Sequence, residues 1–151
     1  IIMDNLKQRL ISSLGKESSK KIYHEGDFIL VWQDNDFLYE YKGDFRNVTE
    51  ENSPFEFTKE GKGKIKKIPK NQNKEMVFVY EGDFVNDQLI KGSWKLINNG
   101  ITEGRYDGEF KDGVFHGKGC LTVYLQKDGT ISEKGTKNNG IFTNGKLTEK
   151  Y

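Results

Sequence analysis

A three-point pattern, Tyr-x-Gly-x-Phe, occurs three times in this chain: Tyr41, Gly43 and Phe45; Tyr80, Gly82 and Phe84; Tyr106, Gly108 and Phe110. Chance alone would supply about 0.05 copies at this composition, so the pattern marks an internal repeat. Positions i, i+2 and i+4 share one face of a β-strand, which puts both rings and the glycine between them on the same side. Glycine weakens a strand interior unless something must come close to the backbone. The spacing therefore predicts that each glycine vacates a slot for an aromatic ring of the same or an adjacent hairpin. The third copy runs on as YDGEFKDGVFHGKGCLTV, residues 106–123. A turn at Asp112 and Gly113 is followed there by a return strand with Phe115, Gly117, Gly119 and Leu121 on the ring face and His116, Lys118 and Cys120 opposite.

Other units are less complete. The stretch YHEGDF at 23–28 keeps Gly26 and Phe28 with one extra residue, and NNGIF at 138–142 keeps Gly140 and Phe142 without the tyrosine. The return strand HGKGCL at 116–121 is matched by EGKGKI at 60–65 and in part by KGSW at 91–94. Glycines 43, 82, 108 and 140 lie 39, 26 and 32 residues apart, which places insertions of unequal length between units, the longest at 46–79. Turn signals recur as QDND at 33–36, VND at 85–87, NNG at 98–100, KDG at 111–113 and 127–129, NNG at 138–140 and TNG at 143–145. Asn-Gly and Asp-Gly suit the positive φ angles of tight hairpins.

The first 22 residues differ. Met3, Leu6, Leu10 and Leu14 recur at helical spacing with Gly15 as a stop, which predicts one short amphipathic helix. The expected organisation is a helix and linker over 1–22 and a β-hairpin repeat domain over 23–151, all-β apart from the helix: an elongated single-sheet meander in which each hairpin completes its neighbour's core. The helix is expected to cover the amino-terminal side of the sheet, or to dock on another protein. The chain opens IIMDNL with no initiator methionine, and reads as processed, shortened or a fragment of a longer protein.

With 151 residues the chain is long enough for one core. Only 34% of it is hydrophobic, but 13% is aromatic with ten Phe, so rings must carry the burial. Lys and Arg number 24 against 23 Asp and Glu, so no overall field attracts nucleic acid or a membrane. The single cysteine, Cys120, fits a reducing compartment, and no apolar run is long enough to span a bilayer.

Catalytic chemistry finds little purchase. The chain has two histidines, His24 and His116; His116 and Cys120 are the only nucleophile–base pairing on offer, and four residues along a strand are roughly 13 Å apart. No second His or Cys sits at metal-ligand spacing, and the acidic stretch 25–56, nine carboxylates against Lys42 and Arg46 for a balance of −7, lacks the glycine and final glutamate of a calcium loop. The GKG triplets at 61–63 and 117–119 are followed by no helix and carry no Walker lysine–serine pair. No cofactor, metal or catalytic residue is expected. One charge feature exceeds background: residues 59–74 carry seven lysines against Glu60, a balance of +6. Lys62, Lys64, Lys66, Lys67 and Lys70 are the candidate contacts to an anionic partner, lipid headgroups included. Nucleic acid is disfavoured because the stretch has neither arginine nor an aromatic to stack a base. The plainer reading is a solvated hairpin tip, or a loop paired with the acidic stretch beside it. Trp32, Phe37, Tyr39 and Trp94 have the composition of protein-interface anchors.

The run at 106–123 resembles the MORN repeat, matching its pattern at Tyr106, Gly108, Phe110, Gly113, His116, Gly117 and Gly119. The units at 41–45 and 80–84 match in their first strands and those at 23–28 and 138–145 are degenerate. The resemblance implies a rod of β-hairpins acting as a non-enzymatic scaffold or accessory subunit. Its partners would be proteins of a larger assembly, with homodimerisation as one mode. The setting would be cytoplasmic, at the cytoskeleton, a cilium or an organelle membrane. A peripheral phosphoinositide-binding module using the 59–74 lysines is the alternative.

Overall fold

In a computed structural model the chain is described at residues 22–23, 29–47, 57–70 and 75–151. The expected helix, and residues 24–28 of the first degenerate unit, lie outside these residues. The strands are β1 (Ile22–Tyr23), β2 (Leu30–Gln33), β3 (Phe37–Asn47), β4 (Phe57–Pro69), β5 (Met76–Val85), β6 (Gln88–Asn98), β7 (Ile101–Lys111), β8 (Val114–Leu125), β9 (Ile131–Thr143) and β10 (Lys146–Lys150). From β3 to β10 each strand pairs antiparallel with the next, which makes one open meander sheet, and β1 and β2 both pair with β3 along its outer edge.

The hairpins close as the dipeptides require. At Asn86–Asp87, Asn99–Gly100, Asp112–Gly113 and Asn144–Gly145 both turn residues have positive φ, between 46° and 86°. That is the type I′ geometry, whose twist matches the flanking strands. Two expectations are corrected. NNG at 138–140 is no turn but the middle of β9, because Gly140 is held opposite Gly119 and Asn138 opposite Leu121 by the pairing with β8. The insertion expected at 46–79 is not a break in the array either: β4 runs through the middle of it as the return strand of the first unit, with Ile65 opposite Tyr41 and Gly63 opposite Gly43.

Register brings the repeat's glycines into one line. Gly43, Gly63, Gly82, Gly92, Gly108, Gly119 and Gly140 stand opposite one another across seven consecutive strands, β3 to β9. Two things fill the space they leave. A Cβ on Gly119 would lie 2.2 Å from the Tyr106 hydroxyl oxygen and one on Gly63 would lie 2.3 Å from that of Tyr41, so these rings lie flat across the glycines of the paired strand. A Cβ on Gly82 or Gly92 would instead meet the partner backbone, at 2.2 and 2.0 Å. The slots expected from sequence are therefore real, though in the middle unit they serve close approach of the chains.

Just past the glycine row every hairpin is irregular. The register shifts between Gly43 and Phe45, between Asp83 and Phe84, and between Gly108 and Phe110. Such bulges bend a strand and raise its twist. In the first and third units the bulge is built the same way. Gly61 and Gly117 take φ of +102° and +80°, and the carboxylates of Asp44 and Glu109 accept the backbone N–H of Lys62 (3.3 Å) and Lys118 (2.7 Å). The Tyr41 hydroxyl donates to the Asp44 carbonyl and that of Tyr106 donates to the Glu109 carbonyl at 2.7 Å. Each hairpin also locks the next. Asp87 N–H donates to the Lys59 carbonyl and Gly145 N–H to that of Phe115, both at 2.9 Å, while Asn86 N–H reaches the Glu60 carboxylate and Asn144 N–H the His116 Nδ1.

The core lies on the ring face. Tyr106 is wholly buried, stacked on Phe115 (ring centroids 4.0 Å apart) and met edge-on by Phe110 and Phe142, each at 5.1 Å. At the other end of the sheet Tyr41, Phe45 and Leu30 are buried and Phe84 meets the Tyr41 ring edge-on. Aromatic pairs of these geometries contribute roughly 0.5–1.5 kcal/mol each beyond area burial.

Gly119→Ala is expected to lower stability by about 1–3 kcal/mol, the cost of overpacking. Gly104→Ala, whose added carbon would find its nearest neighbour at 3.5 Å, is expected to change stability by less than about 1 kcal/mol. Urea midpoints followed by circular dichroism compare the two, and equal losses would contradict the ring-slot account. Burial first, and the nearby Glu109 second, push the Tyr106 phenol up to about 12. An unfolded-chain phenol ionises near 10, so above that pH the unfolded state releases its proton first and stability falls toward pH 12. Tyr106→Phe is expected to cost about 1 kcal/mol at pH 7 and to flatten that alkaline decline.

Candidate interaction groove

The two faces of the sheet carry different chemistry. On the polar face a trough of about 790 Å³ lies over the glycine row, among Lys42, Lys62, Lys64, Lys91 and Arg105 with Glu81 and Asp107. Its charges are largely matched inside the sheet. Lys62 pairs with Asp83, Lys64 lies 3.9 Å from Glu81, and Arg105 grips Asp107 through two hydrogen bonds of 2.7 and 2.8 Å. The lysine cluster is thus neither a tip nor a loop along Lys59–Lys67, because these residues form β4, and alternation divides them between faces. Lys62, Lys64 and Lys66 go to the polar side, Lys66 opposite Glu40, while Lys59 and Lys67 join the ring side. Lys70, just past the strand, donates to the Asp34 carbonyl.

Two smaller cavities adjoin on the ring face. The first, about 280 Å³, is lined by Phe37, Lys67, Phe78, Tyr80, Trp94 and Phe115, with Gly113, Val114 and Gly145 from two hairpin turns standing over it. The second, about 300 Å³, takes in Trp32, Tyr39, Lys59 and Asp87. They share Lys67, Tyr80 and Gly113, so together they make one aromatic groove between the sheet and the hairpin ends folded over it.

Local rules place each wall. Trp32 and Tyr39 are directly paired across β2 and β3, and their rings stack at 5.3 Å and 6°. The turn before Tyr39 is fastened by Asp34, whose carboxylate accepts the N–H of Asp36 and Phe37 and the Tyr39 hydroxyl. That hydroxyl bond leads the causes holding the Asp34 carboxyl below its usual value. Burial first, then the same bond, push the Tyr39 phenol up to about 12. Phe78 is two residues before Tyr80 and shares its face. Tyr80 and Trp94 stand opposite each other where the outer units have Tyr41 with Ile65 and Tyr106 with Leu121. With the partner backbone already filling the space at Gly82 and Gly92, Tyr80 stays half-buried. Burial raises its phenol pKa despite the opposing hydrogen bond with Trp94. Trp94 packs edge-on to Phe115 at 5.3 Å and stacks with Phe78 at 6.2 Å.

All four aromatics singled out from sequence as partner contacts, Trp32, Phe37, Tyr39 and Trp94, line this groove and are half-buried. Sequence reasoning missed Phe78, Tyr80 and Phe115 as groove walls, although strand alternation already put Phe115 on the ring face. Of the repeat residues, Tyr41, Phe45, Phe84, Tyr106 and Phe110 are core. His116 turns to Asn144 N–H and Cys120 to Thr122, whose Oγ1 is 3.8 Å from its sulfur, so each has its own partner. Among the described residues no group of three or more His, Cys, Asp or Glu could hold a metal, and no helix is long and apolar enough to cross a membrane.

The MORN-repeat family model matches residues 80–89 and 106–122. The second match runs from the middle of β7 through its turn and along most of β8. The first covers an outgoing strand and its turn and stops just before Gly92, where the middle unit's return strand departs from the two-residue bulge of its neighbours. No curated protein matches the chain. With the family pattern matched in two units and the same tyrosine, glycine and phenylalanine rows built in a third, the chain carries MORN repeats.

Proposed function

We propose that the protein is a non-enzymatic scaffold or accessory subunit that holds a protein partner in the ring-face groove, in the cytoplasm and within a larger assembly. MORN repeats in general serve protein–protein or membrane–lipid contacts. The observation that carries the protein reading is the groove itself. It exposes parts of Trp32, Tyr39, Tyr80 and Trp94 on a rigid sheet, and Trp and Tyr in partly enclosed sites are the residues that dominate binding energy. The lipid alternative needs the lysines of β4 presented together. Their division between two faces and their pairing with Asp83, Glu81 and Asp87 weigh against it.

Cross-linking and affinity purification of the endogenous protein, set beside sedimentation with phosphoinositide vesicles at low salt, tests the assignment. Trp94→Ala is expected to weaken capture of a defined partner by roughly 30-fold, about 2 kcal/mol, while Lys62→Glu with Lys64→Glu leaves it within twofold. Pelleting with vesicles that is lost in the lysine pair and untouched by Trp94→Ala would replace the protein reading with the lipid one.

A further inference from the structure

The groove has a definite charge as well as an apolar lining. Lys59 and Asp87 cancel each other: the ammonium lies 2.6 Å from the Asp87 carboxylate, and the Lys59 backbone N–H donates to the same oxygen at 3.2 Å. Lys67 is different. Its ammonium sits over the Phe37 ring at 4.1 Å and 6.0 Å from the Tyr39 ring, and among the described residues no carboxylate stands within ion-pair distance of it. It lies where the two cavities meet. Each cavity is at or below the bottom of the roughly 300–1,000 Å³ range of small-molecule pockets, so each takes one bulky side chain.

We propose, on the footing that the groove is a binding site, that its occupant is an extended segment of a partner protein carrying an acidic residue between two large apolar ones. Side chains at i, i+2 and i+4 of an extended peptide share a face. The motif is therefore apolar–x–acid–x–apolar, with the outer residues in the two cavities and the carboxylate on Lys67. Aromatic walls exclude water from one side of that ammonium, which makes a carboxylate there a stronger partner than one at an open surface. Positive charge at the centre equally rejects a segment with lysine or arginine at that position.

Selection of a displayed library of random twelve-residue peptides on the immobilised full chain tests this, with the best sequence remade and its affinity measured by fluorescence anisotropy. Enrichment of Asp or Glu two residues from a large apolar residue is expected, with binding at least tenfold weaker to Lys67→Gln and to Trp94→Ala, both checked for fold by circular dichroism. Changing the peptide's acid to lysine should restore binding to Lys67→Glu. Enriched peptides without an acid, bound equally by Lys67→Gln and lost in Trp94→Ala, would overturn the acidic motif and leave the groove standing. Binding indifferent to Trp94→Ala, or no enrichment, would overturn the groove reading itself. A dimer of the free protein that groove-binding peptide dissociates would make the occupant a second copy of the chain.

Discussion

Everything in this sheet depends on seven glycines standing in line across it. Among the described residues no second layer covers the apolar face of this open sheet, so burial there comes from the strands' own rings and ends. Without side chains along the row, the rings of Tyr41 and Tyr106 can lie down across the neighbouring strand, and adjacent backbones can approach where no ring lies. The bulges just beyond the row then turn each hairpin end, and the phenylalanines there close over the tyrosines. The result is a core one residue deep that still reaches complete burial at Tyr106.

The middle unit obeys the glycine rule and breaks the tyrosine one. Trp94 occupies the position held by Ile65 and Leu121 in the outer units, and Tyr80 opposite it remains half-buried. The aromatic surface that the outer repeats spend on their cores is left open here. Hairpin ends from the third unit, at Gly113 and Val114, supply a facing wall. A repeat array thus acquires one distinct site through a departure in one unit. His116 belongs to the opposite category. Its counterpart Glu60 performs the same task of receiving a turn N–H from the next hairpin, so the imidazole needs no catalytic explanation.

Much of this was legible from residue order. The spacing of Tyr, Gly and Phe identified strand, face and repeat, and Asn-Gly and Asp-Gly located the tight turns at Asn99–Gly100, Asp112–Gly113 and Asn144–Gly145. The misreading of NNG at 138–140 shows the limit: a dipeptide with the right local chemistry is overridden when a neighbouring strand supplies a partner for every residue. β4 was legible only in part, through the match of EGKGKI to a return strand, for a related reason. Its lysines look like a loop in sequence, but alternate ones extend to either side of a strand and meet the carboxylates of β5, which only the pairing reveals.

The linear chain by itself determined the repeating hairpin, because period-two alternation and turn chemistry act over a few neighbouring residues. It also determined which aromatics were candidates for a partner. That the glycines align across seven strands, that Lys67 and Trp94 open onto one groove, and that Lys59 is neutralised by Asp87 while Lys67 is not were decided by tertiary structure alone. Those relations depend on inter-strand register and on how far each bulge folds a hairpin back. Both are settled by contacts between residues tens of positions apart.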